Sequence, residues 1–327
     1  ETIQNVVIRF SGDSGDGMQL TGTQFSNTSA LMGNDLATFP DFPAEIRAPQ
    51  GTVAGVSGFQ VNFGSSEIST PGDEPDVLIA MNPAALKANV DSLKKGGTII
   101  INKDSFTDLS FKKAGYEKSP IGTHELDSFQ IIEANITSQT VEALKDLELD
   151  SKSKARCKNF YALGMTYFIF SRKLDSTEKW VEQKFGKKPV LVEANIRALK
   201  AGWNFAETIE ASITTYEVKP APISPGEYRQ INGNTATAWG FIQAAQKAGL
   251  ELFLGSYPIT PASDILHELS KHKNLGVTTF QAEDEIAGIC SSIGAALGGA
   301  LAITTTSGPG IALKGEAMGL AMFYEIP

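Results

Sequence analysis

Cysteine is nearly absent: Cys157 and Cys290 are the only two in 327 residues. Two distant thiols cannot supply the four thiolates of an iron–sulfur cluster, so any cluster the chemistry needs belongs to a partner. A disulfide scaffold is excluded as well, and buried reduced thiols suit a cytoplasm. Histidine is scarce, and His124, His267 and His272 have no metal-ligand spacing. Basic charge is outnumbered: 28 Lys and Arg against 37 Asp and Glu leave a formal net charge of −9. That balance argues against a nucleic-acid backbone or an anionic membrane as the main partner. No apolar run reaches membrane-spanning length, and the start lacks a signal-peptide pattern. The chain opens on Glu1 rather than methionine and stops at Pro327 as a predicted helix finishes, which points to processing or truncation.

What is present describes an ordinary soluble α/β protein. With 42% hydrophobic residues and 31 glycines, the chain has cores to bury and tight turns to make, and its length suits two domains. Asn5 to Phe10 reads as a buried strand, Ser11 to Gly17 (SGDSGDG) as a glycine loop, and Met18 to about Met32 as a helix stopped by Gly33. Strand, glycine loop and helix open a nucleotide-binding unit, although Gly12, Gly15 and Gly17 lack the dinucleotide spacing. Backbone N–H groups at a helix N-terminus make an anion site; a structural tight turn explains the same glycines equally well. Thr38 to Gly58 reads as a long loop rich in proline and glycine, and Arg47 is its one cation, free to meet an anionic ligand or to stay solvated. Strands at Gly58 to Phe63, Asp76 to Met81 and Thr98 to Asn102, with a helix from Pro83 to Leu93, imply a mainly parallel sheet. From Lys154 the pattern turns helical, ending in a helix from Pro189 to about Ile213. Pro220, Pro222 and Pro225 mark a stiff connector. The expected division is therefore 1–215, a proline-rich connector at 216–230, and 231–327.

The second domain restarts with a helix from Asn234 to Ala248 and a strand from Glu251 to Ser256, followed by Tyr257-Pro258-Ile259-Thr260-Pro261. Thr260 is placed to cap the next helix, with Pro261 at its first position. A strand from Gly276 to Gln281 runs into a helix from Asp284 to about Ala300. Glu283 thus falls at a strand-to-helix turn, where ligands lie in open α/β sheets. Acidic residues also suit a first helical turn through the helix dipole alone. The strand Leu301 to Thr306, the turn Ser307-Gly308-Pro309-Gly310 and a helix to about Tyr324 complete the chain. If these strands are parallel, Thr260, Glu283 and Ser307-Gly308 meet on one edge.

Three of these segments together resemble the α-subunit of the 2-oxoacid:ferredoxin oxidoreductases: Tyr257-Pro258-Ile259-Thr260-Pro261, Gln281-Ala282-Glu283-Asp284-Glu285, and Thr304-Thr305-Thr306-Ser307-Gly308-Pro309-Gly310. The first domain is similar to the family's γ-domain, with Phe10-Ser11-Gly12 through Gly17-Met18-Gln19 as its glycine loop. The resemblance covers nearly the whole chain. It implies a Rossmann-like γ-domain followed by an incomplete thiamine-diphosphate pyrimidine-binding domain with a mainly parallel sheet and flanking helices. The implied reaction is oxidative decarboxylation of a 2-oxoacid to acyl-coenzyme A with reduction of ferredoxin, and a γ–α fusion is the arrangement commonly assigned to 2-oxoglutarate. Glu283 matches the family glutamate at the aminopyrimidine N1′ of thiamine, and partial burial would raise its pKa for proton sharing. Thr260 matches the threonine beside the substrate's carboxylate or carbonyl. Tyr257, Pro258, Ile259, Ser307 and Gly308 are the further cofactor-binding candidates. Gly12, Gly15, Gly17 and Arg47 are candidates for the phosphates of coenzyme A. The diphosphate, its magnesium and a four-iron, four-sulfur cluster are implied to sit on a β-subunit that docks ferredoxin, giving a heterodimer or a dimer of heterodimers. The family's α-subunit continues into an arginine-bearing loop for the substrate carboxylate and into further domains.

Gly15-Asp16-Gly17 imitates the start of the thiamine diphosphate motif, but the asparagine metal ligand due downstream is missing: Asp41 and Phe42 stand near its place, and Asn34 is too close. No metal is assigned to this chain. Two other readings compete. An NAD(P)-binding dehydrogenase built on the first domain needs a cleaner glycine fingerprint and an acid closing the second strand; Asp35 and Asp41 are nearby, but neither follows a clear strand. A non-catalytic assembly or docking subunit would leave Glu283, Thr260 and the Ser-Gly-Pro-Gly turn unused.

Overall fold

Val77–Ala80 (VLIA) is buried at every position, the mark of a strand covered on both faces. Val77 and Ile79 join one core cluster, Leu78 and Ala80 another, as the two-residue alternation of a strand requires. A helix layer on each side of a central sheet follows from that pattern alone. The computed structural model describes residues 1–43, 48–209 and 214–326. It divides into two compact units, Glu1–Gly226 and Glu227–Pro327.

In the first unit β1 (Thr2–Ile3) and β2 (Asn5–Asp13) lead into α1 (Met18–Leu31), β3 (Asp35–Asp41), β4 (Val56–Gly64), β5 (Val77–Ala80), α2 (Pro83–Asn89), β6 (Thr98–Asn102), α3 (Asp108–Lys113) and β7 (Gln130–Ala134). The six-stranded sheet has the order β3-β4-β2-β5-β6-β7. Pairings from β2 through β7 are parallel, whereas β4 runs antiparallel to both β2 and β3. This antiparallel margin corrects the long loop expected from Thr38. Pro40 and Phe39 read as loop, yet β3 is the edge strand, where a proline lacking an N–H costs no ladder bond. Helices α4 (Ile136–Ala143), α5 (Ser151–Arg156), α6 (Lys158–Ile169), α7 (Asp175–Phe185) and α8 (Pro189–Thr208) follow. Residues 210–213, where the last of these was expected to end, lie outside the described residues. Phe10, Phe25 and Phe63 share one core with Phe160, Tyr161, Tyr167 and Leu199. The strand β8 (Glu217–Val218), in the stretch expected as connector, pairs in parallel with β1.

Helices α6 and α8 cross at two glycines. A Cβ on Gly164 would lie 2.0 Å from the Leu199 carbonyl oxygen, and one on Gly202 only 1.9 Å from that of Tyr161. Backbone meets backbone there, which only glycine permits.

The second unit contains α9 (Gly233–Ala248), β9 (Leu252–Ser256), α10 (Ser263–Leu269), β10 (Val277–Gln281), α11 (Glu285–Leu297), β11 (Leu301–Ile303), α12 (Gly310–Leu313) and α13 (Gly315–Phe323). Asn232 caps α9 by accepting from the Thr235 N–H at 2.8 Å, and Gly249, at φ 67°, closes it in the left-handed conformation. The sheet is parallel throughout, in the order β10-β9-β11. Ala238, Ile242, Leu252, Leu254, Leu269 and Val277 form its core. The single last helix expected from the sequence is two, broken at Lys314.

Candidate active site

Parallel pairing sends all three strands of the second unit out at one edge. Gln281 is in register with Ser256, and Ile303 with Leu254. The segments carrying Thr260, Glu283 and Ser307-Gly308 therefore leave the sheet side by side, as the sequence anticipates. Hydrogen bonds tie them together. The Ser307 hydroxyl donates to the Thr260 carbonyl at 2.7 Å. That of Ser256 donates to the Thr305 carbonyl at 2.9 Å, and the Ala282 N–H donates to the Ser256 carbonyl at 2.9 Å. Close packing of β9 on α11 brings the turn in: a Cβ on Gly255 would stand 2.2 Å from the Ser291 hydroxyl and 2.5 Å from the Gly288 carbonyl oxygen.

Three consecutive acids at the start of α11 have three different surroundings. Glu283 is exposed, and among the described residues no hydrogen bond or ion pair holds its carboxylate, so the partial burial expected of it is not provided by its own unit. Asp284 is the N-cap and accepts from the Ala287 N–H at 2.7 Å. Glu285 is buried, at 8% exposure. Asp284→Ala leaves that N–H without its cap and lowers the stability of the second unit by about 1 kcal/mol, the usual cost of losing an N-cap side chain, measurable by chemical denaturation.

Thr260 does not cap the next helix, contrary to expectation. Ala262 occupies the cap of α10 with no side-chain bond, and the Ser263 N–H donates back to the Ile259 carbonyl at 2.9 Å, which places Thr260 inside the turn. Its peptide bond to Pro261 is cis. Thr260 is exposed, Tyr257, Pro258, Ile259 and Ser307 are half-buried, and Gly308 is exposed at φ 56°.

Sequence reasoning missed Lys314. Only 1% exposed, it donates to the Thr304 hydroxyl at 2.7 Å and to the Thr305 carbonyl at 3.1 Å. Burial pulls its pKa below that of an ordinary lysine, and the negative charge of Glu285 opposes the shift. A signal was there: Lys314 is the only Lys or Arg after Lys273, set within an apolar, small-residue stretch.

In the first unit the glycine loop is shorter than expected. Gly12 is a strand residue paired with Ser57; only the turn through Gly15, which is exposed, and Gly17, at φ 76°, leads to α1. Two carboxylates line this turn. Asp16 accepts from the Asp13 N–H at 3.0 Å and pairs with Lys158 at 2.8 Å. Asp13 accepts from the Gly51 N–H at 3.2 Å, and its pKa is raised by burial and then by the charge of Asp16. An anion cradle would have its donors free; here one is already taken by an acid. Arg47 lies outside the described residues. Asp41 does close a strand, but that strand is the antiparallel edge and its carboxylate is paired with Arg9, so it cannot serve as the acid of a dinucleotide site beside β2. No group of three or more metal-ligating side chains occurs among the described residues.

Comparison with known proteins follows the same two-part division. Residues 7–205 match the family model of pyruvate ferredoxin/flavodoxin oxidoreductase, and residues 243–327 match that of pyruvate flavodoxin/ferredoxin oxidoreductase, thiamine diphosphate-binding. The chain is 56% identical over 327 residues to the 2-oxoglutarate oxidoreductase subunit KorA of Mycobacterium tuberculosis, covering 100% of this chain and 50% of that protein. It is 45% identical over 102 residues to the 2-oxoglutarate synthase subunit KorA of Archaeoglobus fulgidus, covering 31% of this chain and 28% of that one. Among solved structures, the 2-oxoglutarate:ferredoxin oxidoreductase of Magnetococcus marinus, with 2-oxoglutarate, coenzyme A and succinyl-CoA bound, matches with a TM-score of 0.72 at 30% identity. That match covers 99% of this chain and 51% of the other. The chain thus spans about half the length of the M. tuberculosis and M. marinus proteins.

Proposed function

Because the chain belongs to the pyruvate ferredoxin/flavodoxin oxidoreductase family, we propose that it supplies the pyrimidine half of a thiamine diphosphate site in a 2-oxoglutarate:ferredoxin oxidoreductase. The observation that carries this reading is the exposed, unpartnered carboxylate of Glu283 on the edge where three parallel strands end beside Thr260 and Ser307. These residues fit the pyrimidine: Glu283 offers a carboxyl to its ring nitrogen, while Tyr257, Pro258, Ile259, Ser307 and Gly308 border the same edge. Thiamine diphosphate, when bound, supplies the electron sink for decarboxylation. Glu283 holds and shares a proton at the pyrimidine N1′. The Thr260 hydroxyl donates to the oxygen on which negative charge develops. A partner chain closing over Glu283 would provide the burial that its own unit does not.

The choice of substrate follows the relatives' names. The M. tuberculosis and A. fulgidus proteins are named for 2-oxoglutarate, which favours this substrate over pyruvate or branched-chain oxoacids. In the balanced reaction the 2-oxoacid loses carbon dioxide, its acyl group passes to coenzyme A, and two electrons leave one at a time for ferredoxin. A β-subunit would hold the diphosphate, magnesium and the iron–sulfur cluster, in a cytoplasmic heterodimer or dimer of heterodimers. Exposed apolar side chains on the second unit, among them Ile286, Leu297, Ile311, Met322 and Phe323, suit coverage by such a partner. For the coenzyme A phosphates, Gly12, Gly15, Gly17 and Arg47 are the weaker candidates, since Asp13 and Asp16 line the turn. No helix among the described residues is long and apolar enough to cross a membrane.

The native complex, purified with its partner, reduces ferredoxin or viologen only when both 2-oxoglutarate and coenzyme A are present. Absence of activity with every 2-oxoacid, despite bound thiamine diphosphate and an intact cluster, would leave a docking subunit as the better reading.

A further inference from the structure

One buried charge has no role in the reading given so far. Lys314 closes α12 and opens α13, and its ammonium is withdrawn from solvent. Burying a lysine costs free energy that a methionine of similar volume would not. The charge of Glu285 acts on it without forming a direct ion pair among the described residues. Electrostatic stabilisation is therefore a poor account of the residue. Its directed bonds are a better one.

Those bonds begin a chain that crosses the whole site edge. Lys314 donates to the Thr304 hydroxyl and the Thr305 carbonyl. The Thr305 carbonyl also accepts from the Ser256 hydroxyl, at 2.9 Å, and the Ser256 carbonyl accepts from the Ala282 N–H at 2.9 Å. Ala282 immediately precedes Glu283. Each link joins neighbouring strand ends, from β11 to β9 to β10. Gly310 lies at the other end of the same turn, packed so closely that a Cβ there would stand 1.9 Å from the Thr306 hydroxyl.

We infer that Lys314 is a positioning residue, which sets the Thr304–Gly310 turn against Ser256 and, through Ala282, fixes where Glu283 presents its carboxyl. The inference rests on the pyrimidine reading for what Glu283 meets, but the ordering of the turn is independent of it. The test uses the full complex with Lys314→Met and Lys314→Arg. Amide exchange across 304–310, measured without substrate, becomes about tenfold faster in Lys314→Met, the size of one lost charge-assisted hydrogen bond. Affinity for thiamine diphosphate falls by a similar factor, and Lys314→Arg, which keeps the donors, recovers part of both. Exchange and affinity at the native level in a folded Lys314→Met complex overturn the proposal, as does faster exchange with unchanged affinity. If Lys314→Met does not fold, Ser256→Ala removes the next link while leaving the lysine in place. It must show the same two changes, or the proposal fails. A native complex that never oxidises a 2-oxoacid defeats the functional reading, while the exchange result still decides whether Lys314 orders the turn.

Discussion

Replacing Glu283 by glutamine lowers 2-oxoglutarate-dependent ferredoxin reduction by about 100-fold or more, the loss typical of removing a positioned acid–base group. The substitution is nearly isosteric, and the side chain is exposed and makes no hydrogen bond or ion pair among the described residues, so the fold is undisturbed. What disappears is the proton. A neutral amide can still contact a ring nitrogen but cannot exchange a proton with it, and turnover therefore falls far more than cofactor binding. Asp284 provides an internal control. Asp284→Asn keeps an oxygen for the Ala287 N–H and leaves turnover within a few-fold, because its role is the helix cap. Turnover indifferent to Glu283→Gln would mean that the acid is misassigned even with the family correct, and the comparison is made on kcat at saturating cofactor.

A substitution in the first unit has the largest expected effect on stability. Gly202→Ala destabilises the first unit by about 3 kcal/mol, the upper range for overpacking a close-packed core. The added methyl would stand 1.9 Å from the Tyr161 carbonyl oxygen and 2.7 Å from its carbon. Both are backbone, so no rotamer change relieves the clash; α6 and α8 must separate, and Phe160, Tyr161 and Leu199 lose contacts with them. Denaturant unfolding shows this as a lower midpoint with an unchanged slope. Gly240→Ala is the control: it lies within α9 with nothing within 4 Å of the added methyl, and gains up to about 1 kcal/mol from helix propensity. A Gly202→Ala loss below about 0.5 kcal/mol, the range of neutral surface changes, would mean that the two helices adjust freely.

The alternation of strands and helices was legible wherever an apolar run was followed by a glycine or a cap. Val77–Ala80, Thr98–Asn102 and Leu252–Ser256 stand close to their expected places. The edge strand Asp35–Asp41 was not, because Phe39-Pro40-Asp41 carries local loop signals, and only its position beside β4 makes it a strand. Asn5–Asp13 runs through residues expected as loop since Ser57 and Gly58 pair with them from a segment distant in sequence. That the segments carrying Thr260, Glu283 and Ser307 leave one sheet edge was readable from motif and strand order. Lys314 and Glu285 were not, since burial of a charged residue is decided by tertiary packing, and the sequence alone weighs it as surface.

The stretch from Glu283 to Glu285 has one further consequence, for how such a chain can change by descent. Neighbouring acids there differ in fate only by their phase relative to the first turn of α11: one faces outward, one caps the helix start, one is enclosed. A single-codon insertion or deletion would advance or retard that phase, exchanging all three fates at once and carrying the cap, the enclosed charge and the outward carboxyl to the wrong residues together. A replacement in place alters one of these roles at a time, whereas a change of length alters all three.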